Sequence, residues 1–305
     1  MRDRRSVGEM RMATSALVDI QDVISWLRQI EDRVGGLYSQ AAKAFGDDVD
    51  FSSFLKRLAK DEQSHAQFMS TILSYLSEPT APSVLDIALD SKTRDHVEAP
   101  LDKFEDHLTG RSISKRCVIE YIARAESSEL NPVFLYIVEK FSGLSRESER
   151  MTAEIQSHLL HIQDFTDSLD RQLKPSIDVA TLPAVWENRF LVVDDHESLR
   201  GLVASLLARR GSVETVADGS EGLDKVREHF YDGIVSDIEM PGLDGLEFYN
   251  KAVEYDSKLK GHFLMYSANI TPEREAYLKK NGLDFLRKPF GLSEFQETMD
   301  RILMQ

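Results

Sequence analysis

The stretch "GIVSDIEMPGLDG" (residues 233–245) decides how the C-terminal part of this chain folds. It begins as a buried strand, with Ile234 and Val235, and ends that strand on the carboxylate Asp237 before a Met-Pro-Gly turn. A single acid at the end of a strand can simply be solvated. Whether Asp237 has a chemical role therefore depends on which other polar residues the fold brings to it.

Short apolar runs recur on both sides of this stretch, and each is followed by an amphipathic, helix-like segment. The predicted strands are FLVV (190–193), VETVA (213–217), GIVS (233–236), HFLMYS (262–267) and DFL (284–286). Five strands that alternate with five helices indicate a doubly wound (βα)5 domain, with a parallel sheet covered on both faces.

Polar residues stand at the carboxyl ends of four of these strands, where such sheets bind ligands. The first strand ends in Asp194 and Asp195, the third in Asp237 and the fourth in Ser267, and Lys288 follows the fifth. Three clustered acids repel one another unless a cation or the lysine offsets their charge. Oxygen ligands suit Mg²⁺, and a carboxylate can be a nucleophile toward phosphorus. The pattern therefore favours phosphoryl chemistry at this edge.

Residues 188–305 resemble the receiver domain of bacterial two-component response regulators. The resemblance covers that whole stretch, and the segments that carry it are LVVDDHESLR, VSDIEMPGLDG, LMYSA and LRKPF. It implies that Asp237 accepts a phosphoryl group from a histidine kinase or a phosphotransfer protein. It also implies that Asp195, Asp237 and the main-chain carbonyl of Glu239 hold Mg²⁺, with Asp194 contributing through water.

The same resemblance assigns roles to residues of the last two strands. Ser267 and Lys288 would contact the phosphoryl oxygens, and Phe285 fits the aromatic switch position of the family. A cis peptide bond is common before the proline that matches Pro289. The face formed by the fourth strand, the fourth helix and the fifth strand would change on phosphorylation and dock a partner or a second subunit.

Composition limits the class of protein. The chain has 305 residues, 42% of them hydrophobic and 29% charged, which suggests about two globular domains. The net charge is -15, and both residues 189–305 and the remainder are acidic, which argues against a nucleic-acid surface. No apolar run is long enough to span a membrane. The single Cys117 excludes an internal disulfide, and we expect a reduced cytoplasm.

The N-terminal part shows long apolar stripes of helical period and no convincing strand. We predict a helical bundle over 1–170, a linker over 171–188 that contains two prolines, and the receiver over 189–305. The polar stretch 79–110 is interpreted as a long crossover between two pairs of helices. The predicted protein is thus multidomain, with an all-α four-helix bundle before the α/β domain.

Charged residues interrupt the apolar stripes of the first two predicted helices. Glu31 lies on the apolar face of the first helix, and Glu62 and His65 lie on that of the second. Burying a carboxylate without a partner is costly. Glu62 and His65 are three residues apart, so both side chains can reach one point. A glutamate from one helix and Glu-x-x-His from the next form half of a di-iron carboxylate site.

This part resembles the ferritin-like, rubrerythrin-type four-helix bundle. The third predicted helix offers Glu126 and Glu129, and the fourth offers His158, but Ile155 stands where a second Glu-x-x-His motif needs its glutamate. Glu154 is one residue early and points about 100° away. The resemblance implies an iron or manganese site with single-metal or substoichiometric occupancy, and we expect its ligands to be Glu31, Glu62, His65, Glu126, Glu129 and His158.

Three hypotheses for the bundle stay open. It senses metal or redox state, it mediates homodimerisation or partner docking, or it is a phosphotransfer bundle in which His65 or His158 is exposed and phosphorylated. His161 is a possible compensating ligand, and Cys117 is expected to pack beside Tyr121 on the inner stripe of the third helix. The function favoured overall is a response regulator without enzyme activity beyond phosphotransfer onto Asp237 and autodephosphorylation. The alternative is a receiver-regulated di-iron peroxidase or oxygen-handling enzyme.

Overall fold

The computed structural model describes residues 19–79, 91–110 and 113–304. The first 18 residues of the predicted bundle and residues 80–90 of the predicted crossover lie outside this described part. None of the helices that are described has the combination of length and apolarity needed to cross a bilayer.

The N-terminal part is helical, and apolar side chains from its helices meet in one core. The helices within its described residues are α1 (Ile20–Ala44), α2 (Val49–Leu76), α3 (Ser91–Thr109), α4 (Lys115–Glu129), α5 (Pro132–Phe141) and α6 (Arg146–Asp167). Side chains that accept a hydrogen bond from a first-turn N–H fix several helix starts, since those N–H groups have no partner within the helix. The residues that do so are Asp19, Asp48, Ser114, Asn131 and Ser145.

The interpretation of 79–110 as a polar crossover was wrong for the part that is described. This part contains α3, which buries Val97, Leu101 and Phe104 against the other helices. Their spacing of four and three residues is helical. The charged residues between them and Pro100 inside the helix concealed that pattern. The predicted four helices correspond to α1, α2, α4 and α6, and α3 and α5 are additional.

The expected packing of Cys117 on the inner stripe was also wrong. The inner face of α4 is formed by Val118, Ile119 and Ile122, whereas Cys117 is half-buried on the outer side. The ring of Tyr121 stacks on that of Phe104 of α3, with 5.0 Å between ring centroids. One residue of error in the helical phase turns a side chain by about 100°, which accounts for the difference.

The C-terminal part is a five-stranded parallel sheet in the order β2-β1-β3-β4-β5. The strands are β1 (Arg189–Val193), β2 (Ser212–Val216), β3 (Gly233–Asp237), β4 (Phe263–Ser267) and β5 (Asp284–Arg287). The helices are α7 (Glu197–Leu207), α8 (Gly219–Glu228), α9 (Gly245–Tyr255), α10 (Pro272–Asn281) and α11 (Leu292–Leu303). Alternate residues of the strands enter two separate cores, one on each face. The predicted parallel sheet with five strands and five helices is confirmed.

The segment predicted as a linker is packed against both parts of the chain. Ile177, Leu182 and Val185 contact the core of the helical part. The indole Nε1 of Trp186 donates a hydrogen bond to Asp232 Oδ2, 2.9 Å away, in the loop before β3. The segment is therefore held at both ends.

Helix α6 contacts the amino-terminal edge of the sheet. Glu149 of α6 accepts hydrogen bonds from Arg189 Nη1 (3.0 Å), His229 Nδ1 (3.1 Å) and the backbone N–H of Phe230 (2.9 Å). Arg146 of α6 forms an ion pair of 2.6 Å with Asp256, which lies between α9 and β4. These groups of the receiver lie at or before the starts of its strands. The contacts of Glu149 and Arg146 therefore do not involve the opposite, carboxyl edge of the sheet.

Candidate functional sites

Asp237 and Lys288 meet at the carboxyl edge of the sheet. Asp237 is the last residue of β3 and is only 3% exposed, and Lys288 Nζ lies 2.7 Å from its Oδ2 atom. The same ammonium lies 3.4 Å from Oδ2 of Asp194, which is fully buried. Burial raises the pKa of Asp237, and the hydrogen bond and positive charge of Lys288 act against that rise. The lysine therefore offsets part of the acid charge.

Asp194 is fixed by donors on both of its carboxylate oxygens. The backbone N–H of His196 donates to Oδ1 at 2.7 Å, and the hydroxyl of Tyr266 donates to Oδ2 at 2.6 Å. Burial and the adjacent Asp194 charge raise the pKa of Tyr266, so its hydroxyl stays protonated and remains a donor. Lys288 Nζ also lies 4.4 Å from the centroid of the Tyr266 ring. This tyrosine thus contacts both an acid and the lysine of the site.

The three predicted cation ligands lie together. One ligand atom from each of Asp194, Asp195, Asp237 and His196 lies within 4.8 Å of every other. Asp195 is partly exposed, and its Oδ1 lies 2.9 Å from His196 Nδ1. A group of carboxylate oxygens at a partly open sheet edge suits a hard divalent cation such as Mg²⁺.

Ser267 lies at the end of β4 and is buried. Its Oγ accepts a hydrogen bond from the N–H of Asn269 at 3.0 Å and donates to Glu239 Oε2 at 3.3 Å. The Glu239 carboxylate also pairs with Arg274 at 2.8 Å, and the Glu239 N–H donates to Asp237 Oδ1 at 3.2 Å. The role of the Glu239 carbonyl as a cation ligand stays a prediction.

The residues around Lys288 follow the predicted pattern. The Lys288–Pro289 peptide bond is cis, as expected. Phe285 is half-buried against the core that contains Ile270 and Leu278. Its role as an aromatic switch remains a prediction.

Tyr266 was missed by sequence reasoning, although a signal was present. It directly precedes Ser267 on β4 and pairs in register with Asp237 of β3. A tyrosine on a fully buried strand needs a partner for its hydroxyl. The strand-end acids of β1 and β3 were the available acceptors.

Residues 190–300 match the family model described as the response regulator receiver domain. This region is a receiver domain. The response regulator ArlR of Staphylococcus aureus is 31% identical over 116 residues, which are 38% of this chain and 52% of that protein. A gliding motility regulatory protein of Myxococcus xanthus is 29% identical over 151 residues, which are 47% of this chain and 18% of that protein.

The chain is also similar to solved structures. The Vibrio cholerae chemotaxis protein CheY4 is 35% identical, and the match covers 39% of this chain and 100% of the CheY4 chain, with a TM-score of 0.36.

The present chain spans about half the length of the Staphylococcus relative and under a fifth of the Myxococcus one. Receiver domains generally bind Mg²⁺ and interact with histidine kinases or phosphotransfer proteins.

The helical part contains a second, fully buried group of acids and histidines, here called the carboxylate–histidine cluster. One ligand atom from each of Glu31, Glu62, His65 and Glu129 lies within 4.8 Å of the others, and the same holds for Glu62, Glu126 and His158. Glu62 belongs to both groups. The structure thus brings together all six ligands that the sequence predicted, from α1, α2, α4 and α6.

Polar atoms of the cluster lack hydrogen-bond partners although they are buried. They are both carboxylate oxygens of Glu31, Glu62 Oε1, Glu129 Oε2, His65 Nε2 and His158 Nε2. Unpaired buried polar atoms cost about 1–3 kcal/mol each, and more when charged. Their convergence from four helices fits cation binding, which would give these atoms partners.

The charges within the cluster also favour a bound cation. Burial, followed by the charge of Glu62, raises the pKa of Glu31 well above its usual value. Burial and the charge of Glu31 likewise raise the pKa of Glu129. Burial also acts to raise the pKa of Glu62, but the charges of His65 and His158 lower it to about 2. A bound cation would offset the repulsion among these buried carboxylates.

Residues behind the cluster orient its ligands. The Tyr38 hydroxyl donates to Glu126 Oε1 at 2.8 Å, and Asp61 Oδ2 lies 3.3 Å from His158 Nδ1. Such outer contacts fix the tautomer and direction of metal-ligating side chains.

The second Glu-x-x-His motif lacks its glutamate at position 155, and the structure shows how the neighbouring side chains are placed. Ile155 is buried and offers no oxygen, and Glu154 points outward to Arg150. Glu129 of α4 lies with Glu31, Glu62 and His65, whereas His158 of α6 lies with Glu62 and Glu126, so α6 contributes a histidine but no carboxylate to the cluster. His161 was a wrong alternative as a ligand, because its Nε2 contacts Arg57 and the carbonyl of Met304.

The phosphotransfer hypothesis for the bundle is contradicted. His65 is 2% exposed and His158 is 1% exposed. A phosphorylated histidine must reach the active site of another protein, which neither side chain does here. Both face the carboxylates of the cluster instead.

Proposed function

We propose that the protein is a two-component response regulator that is phosphorylated on Asp237 by a histidine kinase or a phosphotransfer protein. The observation that carries this proposal is the contact of 2.7 Å between Lys288 Nζ and the buried Asp237 carboxylate, beside Asp194. A nucleophile, an acid pair and a fixed ammonium at one sheet edge are the parts that in-line phosphoryl transfer needs.

The transfer forms a bond between a carboxylate oxygen of Asp237 and phosphorus, and breaks the bond from phosphorus to the donor. Lys288 stays beside the reacting carboxylate and offsets negative charge as the phosphoryl oxygens approach. Asp194, Asp195 and Asp237 would hold Mg²⁺, which supplies further charge neutralisation. Tyr266 and the N–H of His196 keep Asp194 in place.

Phosphorylation would change the surface around β4 and β5. Ser267 Oγ holds two weak partners, Asn269 N–H and Glu239, so a phosphoryl oxygen on Asp237 can compete for it. Movement of Ser267 would open space for Phe285, and the face of β4, α10 and β5 would then dock a partner or a second copy of the chain.

The phospho-acceptor is tested with Asp237→Asn, which removes the nucleophile but keeps the shape of the side chain. Labelling by acetyl phosphate should be lost in this variant and slowed in Asp195→Asn, which should also bind Mg²⁺ more weakly. Asp224→Asn serves as a control, because this exposed acid of α8 lies outside the site. Labelling of Asp237→Asn at the wild-type level would refute the assignment.

For the N-terminal part we propose a ferritin-like bundle over 1–170 that holds iron or manganese in the carboxylate–histidine cluster, followed by the linker 171–188 and the receiver over 189–305. The six converging ligands with unpaired buried atoms support this proposal. Because Glu62 belongs to both ligand groups, we favour two adjacent ions that share this carboxylate over the single ion that the sequence suggested.

Metal analysis of protein purified without chelators tests this part. A metal that binds only the folded state must also raise the melting temperature of the protein. No bound metal and an unchanged melting temperature with added Fe²⁺ would leave dimerisation or partner docking as the role of the bundle. If iron binds, consumption of hydrogen peroxide or oxygen by the loaded protein distinguishes an enzyme from a sensor.

A further inference from the structure

A large groove lies on the side of the helical part away from the cluster, between α3 and α4. Its volume is about 1210 Å³. Its apolar wall, which defines what we call the α3–α4 groove, is made of Ala99, Pro100, Cys117, Tyr121, Pro132 and Ile177. Pockets for drug-sized ligands typically occupy about 300–1,000 Å³, so the groove has room for such a molecule.

The rim of the groove is positively charged. Lys92, Lys103 and Arg116 line it and have no ion-pair partner within the described ranges of the chain, whereas Arg124 is paired with Glu120. The other acid of the lining is Asp95. A cationic rim is notable in a chain whose net charge is -15. Such a local concentration of positive charge attracts anions.

Two polar contacts give the groove a fixed wall. Glu120 accepts hydrogen bonds from the backbone N–H and the hydroxyl of Ser176, which hold the segment that carries Ile177 against α4. Arg124 Nε binds the same carboxylate at 2.8 Å. The groove is therefore closed by the segment that leads to the receiver, rather than being a simple gap between two helices.

We propose that the α3–α4 groove binds a small organic anion, with an apolar body against its wall and a carboxylate, sulfonate or phosphate group near Lys103 and Arg116. Lys103 belongs to the second half of α3 and Arg116 to the first turn of α4, so the connection between the two helices places both cations toward the same end of the groove. The site does not depend on phosphorylation of Asp237 or on metal in the cluster.

The groove is a binding site rather than a catalytic one. The thiol in its lining belongs to Cys117, and burial together with the charge of Glu120 raises the pKa of that thiol. A thiol with a raised pKa is mostly protonated at neutral pH and reacts slowly. The ligand has a route to function through α4, since the opposite face of this helix carries Glu126 and Glu129 of the cluster.

The full-length protein is tested with 1-anilinonaphthalene-8-sulfonate, an anion with an apolar body, and with N-phenyl-1-naphthylamine, which lacks the sulfonate. We expect one sulfonate probe to bind per chain and to slow alkylation of Cys117, the only cysteine, by at least about fivefold. The neutral compound should bind at least about tenfold more weakly, because it cannot use the cationic rim.

The test variant carries both Lys103→Gln and Arg116→Gln. The control variant carries both Lys56→Gln and Lys140→Gln, which remove the same charge from exposed sites outside the groove. The first pair should weaken binding of the sulfonate by at least about tenfold, and the control pair should leave it unchanged. Equal binding in both pairs, or no protection of Cys117, would overturn the proposal.

Discussion

Replacing Glu149 with alanine should loosen the receiver from the helical part. This carboxylate is 7% exposed and accepts hydrogen bonds from Arg189, His229 and the backbone N–H of Phe230. Hydrogen bonds to a charged group contribute about 1.5–3 kcal/mol when buried, but the two side-chain donors are partly exposed and count for less. The buried Phe230 N–H, left unpaired, costs about 1–3 kcal/mol.

We therefore expect Glu149→Ala to weaken this contact by about 2 kcal/mol, which corresponds to about a 30-fold change in an equilibrium constant. Hydrogen exchange of the Phe230 amide measures it directly, because that N–H donates to Glu149 Oε2. Exchange should accelerate by about 30-fold in the variant. The control is Glu139→Ala, which removes an exposed glutamate of α5. Unchanged exchange at Phe230 in Glu149→Ala would refute the reasoning.

Two further changes test the sites themselves. Glu62→Gln removes the ligand common to both halves of the cluster, so the rise in melting temperature with Fe²⁺ should disappear, whereas Glu154→Gln, on the exposed side of α6, should keep it. A full rise in the first variant would contradict the proposed metal site. Tyr266→Phe removes one donor from Asp194 and keeps the ring under Lys288, so the receiver should lose about 1.5–3 kcal/mol in urea unfolding. An unchanged free energy of unfolding would show that this hydrogen bond contributes nothing.

The receiver could be predicted because its site residues occur in short local sequence patterns. The strands are four or five residues long and mostly apolar, and the polar residues that follow them converge because parallel strands share one edge. Asp194, Asp237 and Lys288 could therefore be placed together from the sequence alone. Tyr266 was not placed, because its hydrogen bond to Asp194 depends on how a side chain crosses between strands.

The site residues of the helical part could be predicted where charged residues interrupt the helical period of apolar residues. Glu31, Glu62 and His65 stood out because a buried charge needs a partner. Helix α3 did not stand out, since its three buried residues are separated by charged ones and by Pro100. The grouping of Glu129 with His65, and of Glu126 with His158, depends on the relative rotation of the helices, which no single helical pattern contains.

The contact between the two parts had no sequence signal. Glu149 lies on α6 among several other acids and arginines, and only its position against the amino-terminal edge of the sheet distinguishes it. The groove between α3 and α4 likewise depends on the position of the segment around Ile177. Features made by packing between distant segments require the tertiary structure.

The central claim is that Asp237 is the phosphoryl acceptor. Protein treated with acetyl phosphate and Mg²⁺ can be reduced with borohydride, which converts an aspartyl phosphate into homoserine at the modified position. Peptide mass spectrometry should then find homoserine at position 237 of the phosphorylated chain and none in the untreated sample. Homoserine at another aspartate, or a phosphohistidine at His65 or His158 in place of it, would contradict the account.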